Sequence, residues 1–319
     1  MSKRKTGFNY DKLFHSPPPP KFNVIPIIAL LLTITFCLIS AKYFIYDPFK
    51  SVKYDVPTYL EANLNDTISL DIKVYNVNKE LLPFNFKVMC EPLIQIKHMN
   101  KFQIVRSGYS KIDLELFGYH KLIYLFVTPI QSKLSINKFD VDYYRTQFNT
   151  GLNGNCGAAV LSMAMNWSKN IDVPVRDVRT LIGLPYLDGA IGFYHIEYIL
   201  KYFHMSYKMQ YAKNAQSIFD IIDRGNIAII LFNSRTISIN NHSNTNLFGK
   251  YYSEFGGHFI IIKGYSLNHK WLIVFDPMPN DWYSNSFRYK DEISMMGKNR
   301  YYSVSEIMKS LNRTIVEIK

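Results

Sequence analysis

The sequence has 319 residues, 48% of them apolar or aromatic, and a formal charge of +12, which excludes both a disordered chain and a small disulfide-stapled scaffold. Its basic residues are spread through Lys-rich segments with no nucleic-acid-binding motif, so no nucleic-acid partner is implied and an anionic membrane or envelope surface fits better. Cys37, Cys90 and Cys156 lie far apart and form no CxxC pair, which suggests neither a zinc site nor a disulfide framework and leaves at least one free thiol.

Residues 1–21 are basic and Pro-rich, with Lys3, Arg4, Lys5, Lys12 and Lys21 around Pro17 to Pro20, and read as a disordered cytoplasmic tail. Residues 22–45 are almost wholly apolar, enough for one helix across a bilayer core of roughly 30 Å. Basic residues are denser before this stretch than after it. The positive-inside rule therefore predicts a single-pass cell-membrane protein with its N-terminus cytoplasmic and the rest outside. A cleaved signal peptide ending near Ser40-Ala41 is the competing reading, and the long charged leader favours a retained anchor.

Residues 46–139 change to period-two alternation, as in Ile68, Leu70, Ile72 and Val74 against Ser69, Asp71 and Lys73. Further strands are predicted over 84–89, 102–105, 112–117, 122–128 and 134–139, separated by turn residues. Short strands at this spacing predict a small β-sandwich-like domain. It contains no cluster of titratable groups, so it reads as a spacer or as a recognition module for an envelope protein partner.

Residues 140–319 have a different grammar. The loop Asn149-Thr150-Gly151-Leu152-Asn153-Gly154 leads into Asn155, placed as an N-cap, and then into an apolar, hence buried, helix over 155–167. Cys156 stands at that junction. Unpaired N–H groups and the dipole at a helix start favour a thiolate there. Helices are predicted over 174–182, 193–203 and 214–222, the last capped by Asn214 and ended by Gly225. A strand over 227–232, a polar loop over 233–248 and two strands over 258–265 and 271–275 follow. A helix opened by the capping box Ser303-Val304-Ser305-Glu306 and a strand over 314–318 complete an α+β domain.

If Tyr265 pairs with His269 across the three-residue loop Ser266-Leu267-Asn268, with Asn268 left-handed, the ladder sets His258 opposite Asp276. A slip of one residue would put them on opposite faces. A cysteine at a buried helix start, with His and Asp on neighbouring strands, has the order of a papain-type thiol hydrolase. The residues Asn155-Cys156-Gly157-Ala158-Ala159, Gly256-Gly257-His258-Phe259 and Val274-Phe275-Asp276-Pro277 resemble the double-glycine-leader peptidases that mature bacteriocins, and their stand-alone relatives in the papain-like clan. The intervening run from Ile218 to Ile230 is similar to that family's helix, Gly turn and central strand.

The resemblance covers roughly residues 140–319. It implies Cys156 as nucleophile, His258 as base and later acid, and Asp276 as its orienter, with no cofactor or metal. The family's oxyanion donor is a glutamine just before the cysteine. Gln147 is the nearest here, further upstream than the pattern has it, and Asn149 or Asn155 are alternatives. His195, His204, His242 and His269 have no ligand spacing. The expected function is that of a membrane-anchored cysteine peptidase hydrolysing an extracytoplasmic peptide or protein through a thioester. The alternatives are a non-catalytic papain-like binding or scaffold protein and an acyl or peptidyl transferase using the same three residues. Leader-processing members are usually fused to an ABC transporter, and this sequence shows no nucleotide-binding loop, so leader processing is not implied.

Overall fold

The computed structural model describes residues 35, 53–70, 72–75, 87–90, 94–98, 101–116, 119–147, 154–184, 189, 191–240, 246–253, 256–278 and 296–319. The predicted tail and membrane span lie outside these residues except for Thr35. Among the described residues no helix is long and apolar enough to cross a membrane. The chain divides into Met1–Lys53 with Tyr75–Leu81, almost all outside the described residues, and Tyr54–Val74 with Leu82–Lys319. The second unit contains all that follows apart from Lys53 and Tyr75.

In its first part the strands are β1 (Lys53–Asp55), β2 (Tyr59–Asn63), β3 (Thr67–Ser69), β4 (Lys73–Tyr75), β5 (Lys87–Cys90), β6 (Ile94–His98), β7 (Lys101–Ile104), β8 (Gly108–Leu116) and β9 (Tyr119–Thr128). One sheet runs β2-β9-β8-β5, with β2 parallel to β9, and a second runs β3-β7-β6. Ala62, Ile112, Leu114, Ile123, Leu125 and Val127 of the first sheet share one buried core with Ile94, Phe102 and Ile104 of the second. Alternate residues of β7 and of the central part of β8 face inward, so the two sheets close over one layer of side chains. The strand expected over 68–74 is broken. β3 stops at Ser69, whose partner Lys101 is the first residue of β7.

The second part contains β10 (Ser132–Leu134), α1 (Cys156–Lys169), α2 (Val175–Leu181), α3 (Phe193–Tyr202), β11 (Tyr207–Tyr211), α4 (Gln216–Asp223), β12 (Ile227–Asn233), β13 (Gly257–Ser266), β14 (Trp271–Phe275), β15 (Arg300–Ser303), α5 (Val304–Ser310) and β16 (Leu311–Ile318). The strands form an antiparallel sheet in the order β11-β16-β12-β13-β14-β15, with β10 alongside the far end of β13. Ile227, Ile229, Phe259 and Ile261 face α1, α2 and α3, while Ala228, Ile230, Ile260 and Ile262 face α4 and α5. Both faces are covered, which is why the central strands read as unbroken apolar runs.

Three predicted caps are not made. Asn155 precedes α1 at φ −84°, ψ 2°, outside the extended conformation that aims a cap side chain at the first-turn N–H groups, and it makes no side-chain cap bond. α4 begins after Ala215, so Asn214 stands one residue too early and only its carbonyl is used, by Ser217. Ser303 Oγ pairs with Ser305 Oγ at 2.9 Å, while Glu306 turns to Ser238, so the capping box does not close. Gly225 does end α4, taking φ +80°, which a side chain would disfavour. The strand expected over 134–139 is short, because the chain leaves β13 after Ser135.

Sandwich and sheet share a seam. Tyr59 and Phe126 pack with Ile273 and Tyr301. Lys263 of β13, fully buried, pairs with Glu61 of β2 and donates to Asn299 Oδ1 at 3.1 Å. Asn299 in turn donates to Tyr59 Oη at 2.9 Å and Tyr109 Oη at 2.8 Å. Burial pulls the Lys263 ammonium below its ordinary range against the charge of Glu61.

Candidate active site

Cys156 is the first residue of α1, and the helix carrying it lies hard against the sheet. A Cβ on Gly157 would stand 2.7 Å from Ile191 Cβ and 3.4 Å from a Phe259 ring carbon, so only glycine permits this approach. The thiol is buried. Burial pushes its pKa up, but a hydrogen bond and charge from His258, with backbone bonds from Phe259 and Gly157, bring it below the ordinary value.

His258 is the second residue of β13, with Phe232 and Tyr252 each 6.0 Å away edge-on. Its Nε2 lies 2.7 Å from Asp276 Oδ1, which leaves Nδ1 for the thiol. Burial alone would lower its pKa. The charge and hydrogen bond of Asp276, then those of Cys156, outweigh that and raise it to about 10. An imidazolium is therefore the resting form beside the thiol at neutral pH.

Asp276 follows β14 and is fully buried. Burial raises its carboxyl pKa, and the charge and hydrogen bond of His258, Tyr302 and the Met278 N–H more than reverse this. Oδ1 accepts from His258 and from the Met278 N–H at 2.9 Å. Oδ2 accepts from Tyr252 Oη at 3.0 Å and from Tyr302 Oη. Its backbone is fixed as well: its N–H donates to the Gly297 carbonyl at 2.8 Å and its carbonyl accepts from Tyr144 Oη at 2.8 Å. Sequence reasoning missed Tyr144, Tyr252 and Tyr302, because no spacing links three tyrosines on a loop before α1, a loop before β13 and the β15 strand.

The ladder that brings His258 to Asp276 differs from the predicted one. Tyr265 pairs with Leu272, not His269, and it is His269 that takes the left-handed conformation, at φ +57°. That register alone would set His258 and Asp276 on opposite faces. A bulge between Ile262 and Gly264 shifts it by one, so Ile261 pairs with Phe275. His258 and Asp276 then become diagonal neighbours on one face instead of direct opposites.

Gln147 is buried beside the same segment. Its backbone N–H donates to the Pro277 carbonyl at 2.9 Å, and its Nε2 lies 3.3 Å from Met278 Sδ. Asn155 is buried next to Cys156, and Asn149 lies outside the described residues. The structure thus gathers Cys156, His258 and Asp276 at one end of the sheet, with Gln147 against Pro277 and Met278, the residues that follow Asp276. A thiol bonded to an imidazolium, itself held by a buried carboxylate, is equipped for nucleophilic attack on a carbonyl and for returning a proton to a leaving group.

Comparison with known proteins agrees in kind. The model of the Peptidase_C39 like family matches residues 138–306, more than half of the chain. No curated protein matches. Sixteen solved chains match, among them a structure described as a C39-like peptidase from Bacillus anthracis, with 11% identity and a TM-score of 0.36 over 59% of this chain and 97% of that one.

Proposed function

Because the chain belongs to the Peptidase_C39 like family, whose members are papain-like cysteine peptidases, we propose that Cys156, His258 and Asp276 are its catalytic triad and that it hydrolyses peptide bonds. The observation that carries this reading is the His258 Nε2 to Asp276 Oδ1 bond of 2.7 Å, with the other side of the ring hydrogen-bonded to the Cys156 thiol at a helix start.

In the proposed reaction the Cys156 thiolate attacks the scissile carbonyl carbon. The oxyanion is held by the Cys156 N–H, which as a first-turn donor has no acceptor within its helix, and by Gln147 Nε2. A thioether is a weak acceptor, so an oxyanion readily replaces Met278 Sδ as partner of that amide. His258 Nδ1 gives its proton to the leaving amine, leaving a thioester on Cys156. The neutral imidazole then takes a proton from water, and the hydroxide releases the acid and regenerates the thiol pair. The substrate is a peptide or protein. The apolar stretch 22–45 supports an anchor with the enzyme domain outside the cell membrane.

The test is alkylation of Cys156 by iodoacetamide across pH 4 to 9, followed by a screen of peptide libraries with product analysis. Labelling that persists far below the free-thiol pKa of about 8.5, lost in His258→Ala, is the expected result. Labelling of Cys156 as an ordinary thiol would overturn the triad. Resistance of the protein to alkaline extraction from membranes, and accessibility of its C-terminal domain to external protease, test the anchor.

A further inference from the structure

Resting on that reading, we infer that Tyr302 and Tyr252 are positioning residues that hold the Asp276 carboxylate ionised and fixed in plane. Asp276 has no exposed surface, so water cannot solvate the charge it must keep. His258 and the Met278 N–H serve one oxygen. The other oxygen is served by the two phenols, both buried. With donors on both oxygens the carboxylate plane is set, and so is the direction in which Oδ1 meets the imidazole.

The division of labour has a chemical consequence. A buried carboxylate beside an imidazolium can lower its energy by taking the proton back, giving a neutral acid and a neutral imidazole. The thiolate would then lose the cation that stabilises it. Phenol hydrogen bonds favour the carboxylate and leave the neutral acid unaided, so they keep the proton on His258.

Among the described residues, the following charged and titratable groups surround this node. His258 and Cys156 lie on one side, and Tyr144 donates to the Asp276 carbonyl. Tyr251 and Arg300 act on Tyr302 and Tyr252 or on each other, the Arg300 guanidinium lying 5.1 Å from the Tyr251 ring. Lys250 lies 5.2 Å from the Tyr252 ring, and Lys263 lies 4.6 Å from the ring of Phe275, the residue before Asp276. The phenols of Tyr252 and Tyr302 donate directly to Oδ2.

The node also ties distant parts of the chain together. Tyr302 belongs to β15 and Tyr252 to the loop between β12 and β13.

The experiment uses the full chain and three variants, Tyr302→Phe, Tyr252→Phe and the double substitution, each keeping the ring and its packing. The rate of Cys156 alkylation is followed from pH 3 to 10, with circular dichroism at each end of the range. The acid limit of labelling is expected to rise by about one pH unit for each hydroxyl removed, so that labelling at pH 5 falls about tenfold or more in the double variant. Peptide KM should stay unchanged while kcat falls. A uniform loss of rate at every pH, with the acid limit where it is in the wild type, overturns the inference and leaves the triad standing. Ordinary-thiol behaviour in the wild type overturns the triad, and this inference with it. Should Tyr302→Phe unfold, Tyr252→Phe decides the question by the same shift.

Discussion

Two buried ion pairs stand on strand β13, five residues apart, and they are built for opposite ends. Near its start His258 meets Asp276, and at the bulge Lys263 meets Glu61. Both are sealed from solvent and both have shifted proton affinities, so burial and perturbation alone do not distinguish a reactive site. The difference lies in what else each cation touches. His258 has a second ring nitrogen and a thiol to use it, and its proton has somewhere to go. Lys263 is enclosed by a carboxylate, an amide and the Phe275 ring, and joins one domain to the other.

The largest expected effect comes from removing the mobile proton. Cys156→Ala or His258→Ala should each lower peptide cleavage roughly 10⁴-fold or more, with little change in melting temperature, as for members of a cooperating triad. Comparable losses from both, with no further loss in the double variant, would confirm a unit; additive losses would break it. At the Lys263 pair the loss should be one of stability. Glu61→Gln leaves an uncompensated buried ammonium and should cost about 3–5 kcal/mol in denaturant unfolding. Replacing both partners, with Lys263→Met and Glu61→Leu, should restore stability and keep the thiol reactive. If that double variant folds but no longer labels at low pH, the Lys263 pair is part of the site and the contrast fails.

A smaller effect is expected at Gly157. Gly157→Ala pushes a methyl into Ile191, 2.7 Å away, and should cost about 1–3 kcal/mol while displacing the thiol from His258. A further effect lies in the pH dependence. The pKa of His258 is raised to about 10 from 6.5, so its contribution to stability is complete below about 6.5 and is lost as pH rises through about 10. Lys263 has the opposite sign. Its pKa is lowered, so its charged form opposes folding, and that cost lifts as pH rises. Asp276, depressed, contributes above its ordinary range and loses this as pH falls. Unfolding of wild type and Asp276→Asn between pH 6 and 10 separates these contributions, since the variant should lose the alkaline slope that His258 supplies.

Much of this arrangement was legible in residue order, and the parts that were not have physical causes. The apolar runs around Ile229 and Ile261 announced central strands because both faces of the sheet are covered. The α+β character of the second domain followed from helices preceding strands. The His258 and Asp276 partnership was reached through a wrong register: two departures, the longer turn at His269 and the bulge at Lys263, together restored the shared face. A bulge leaves no mark in a pattern of Ile and Val. β11 was missed although Tyr207, Met209 and Tyr211 alternate with Lys208 and Gln210, because Tyr211 is exposed and the run is polar. The caps failed where backbone angles or competing partners, invisible in composition, decided the outcome.

Strand β16 has a consequence in time. It lies between β11 and β12, both of which precede it by many residues, with Ile318 opposite Tyr207 on one side and Ile227 on the other. Until residues 311–318 have been synthesised β11 is cut off from the rest of the sheet, and β12, the strand that pairs with His258's strand β13, lacks its second neighbour. Low-pH reactivity of Cys156 is therefore expected only once β16 is in place. Chains truncated before Leu311 should show no low-pH labelling of Cys156, and chains that include residues 311–318 should acquire it.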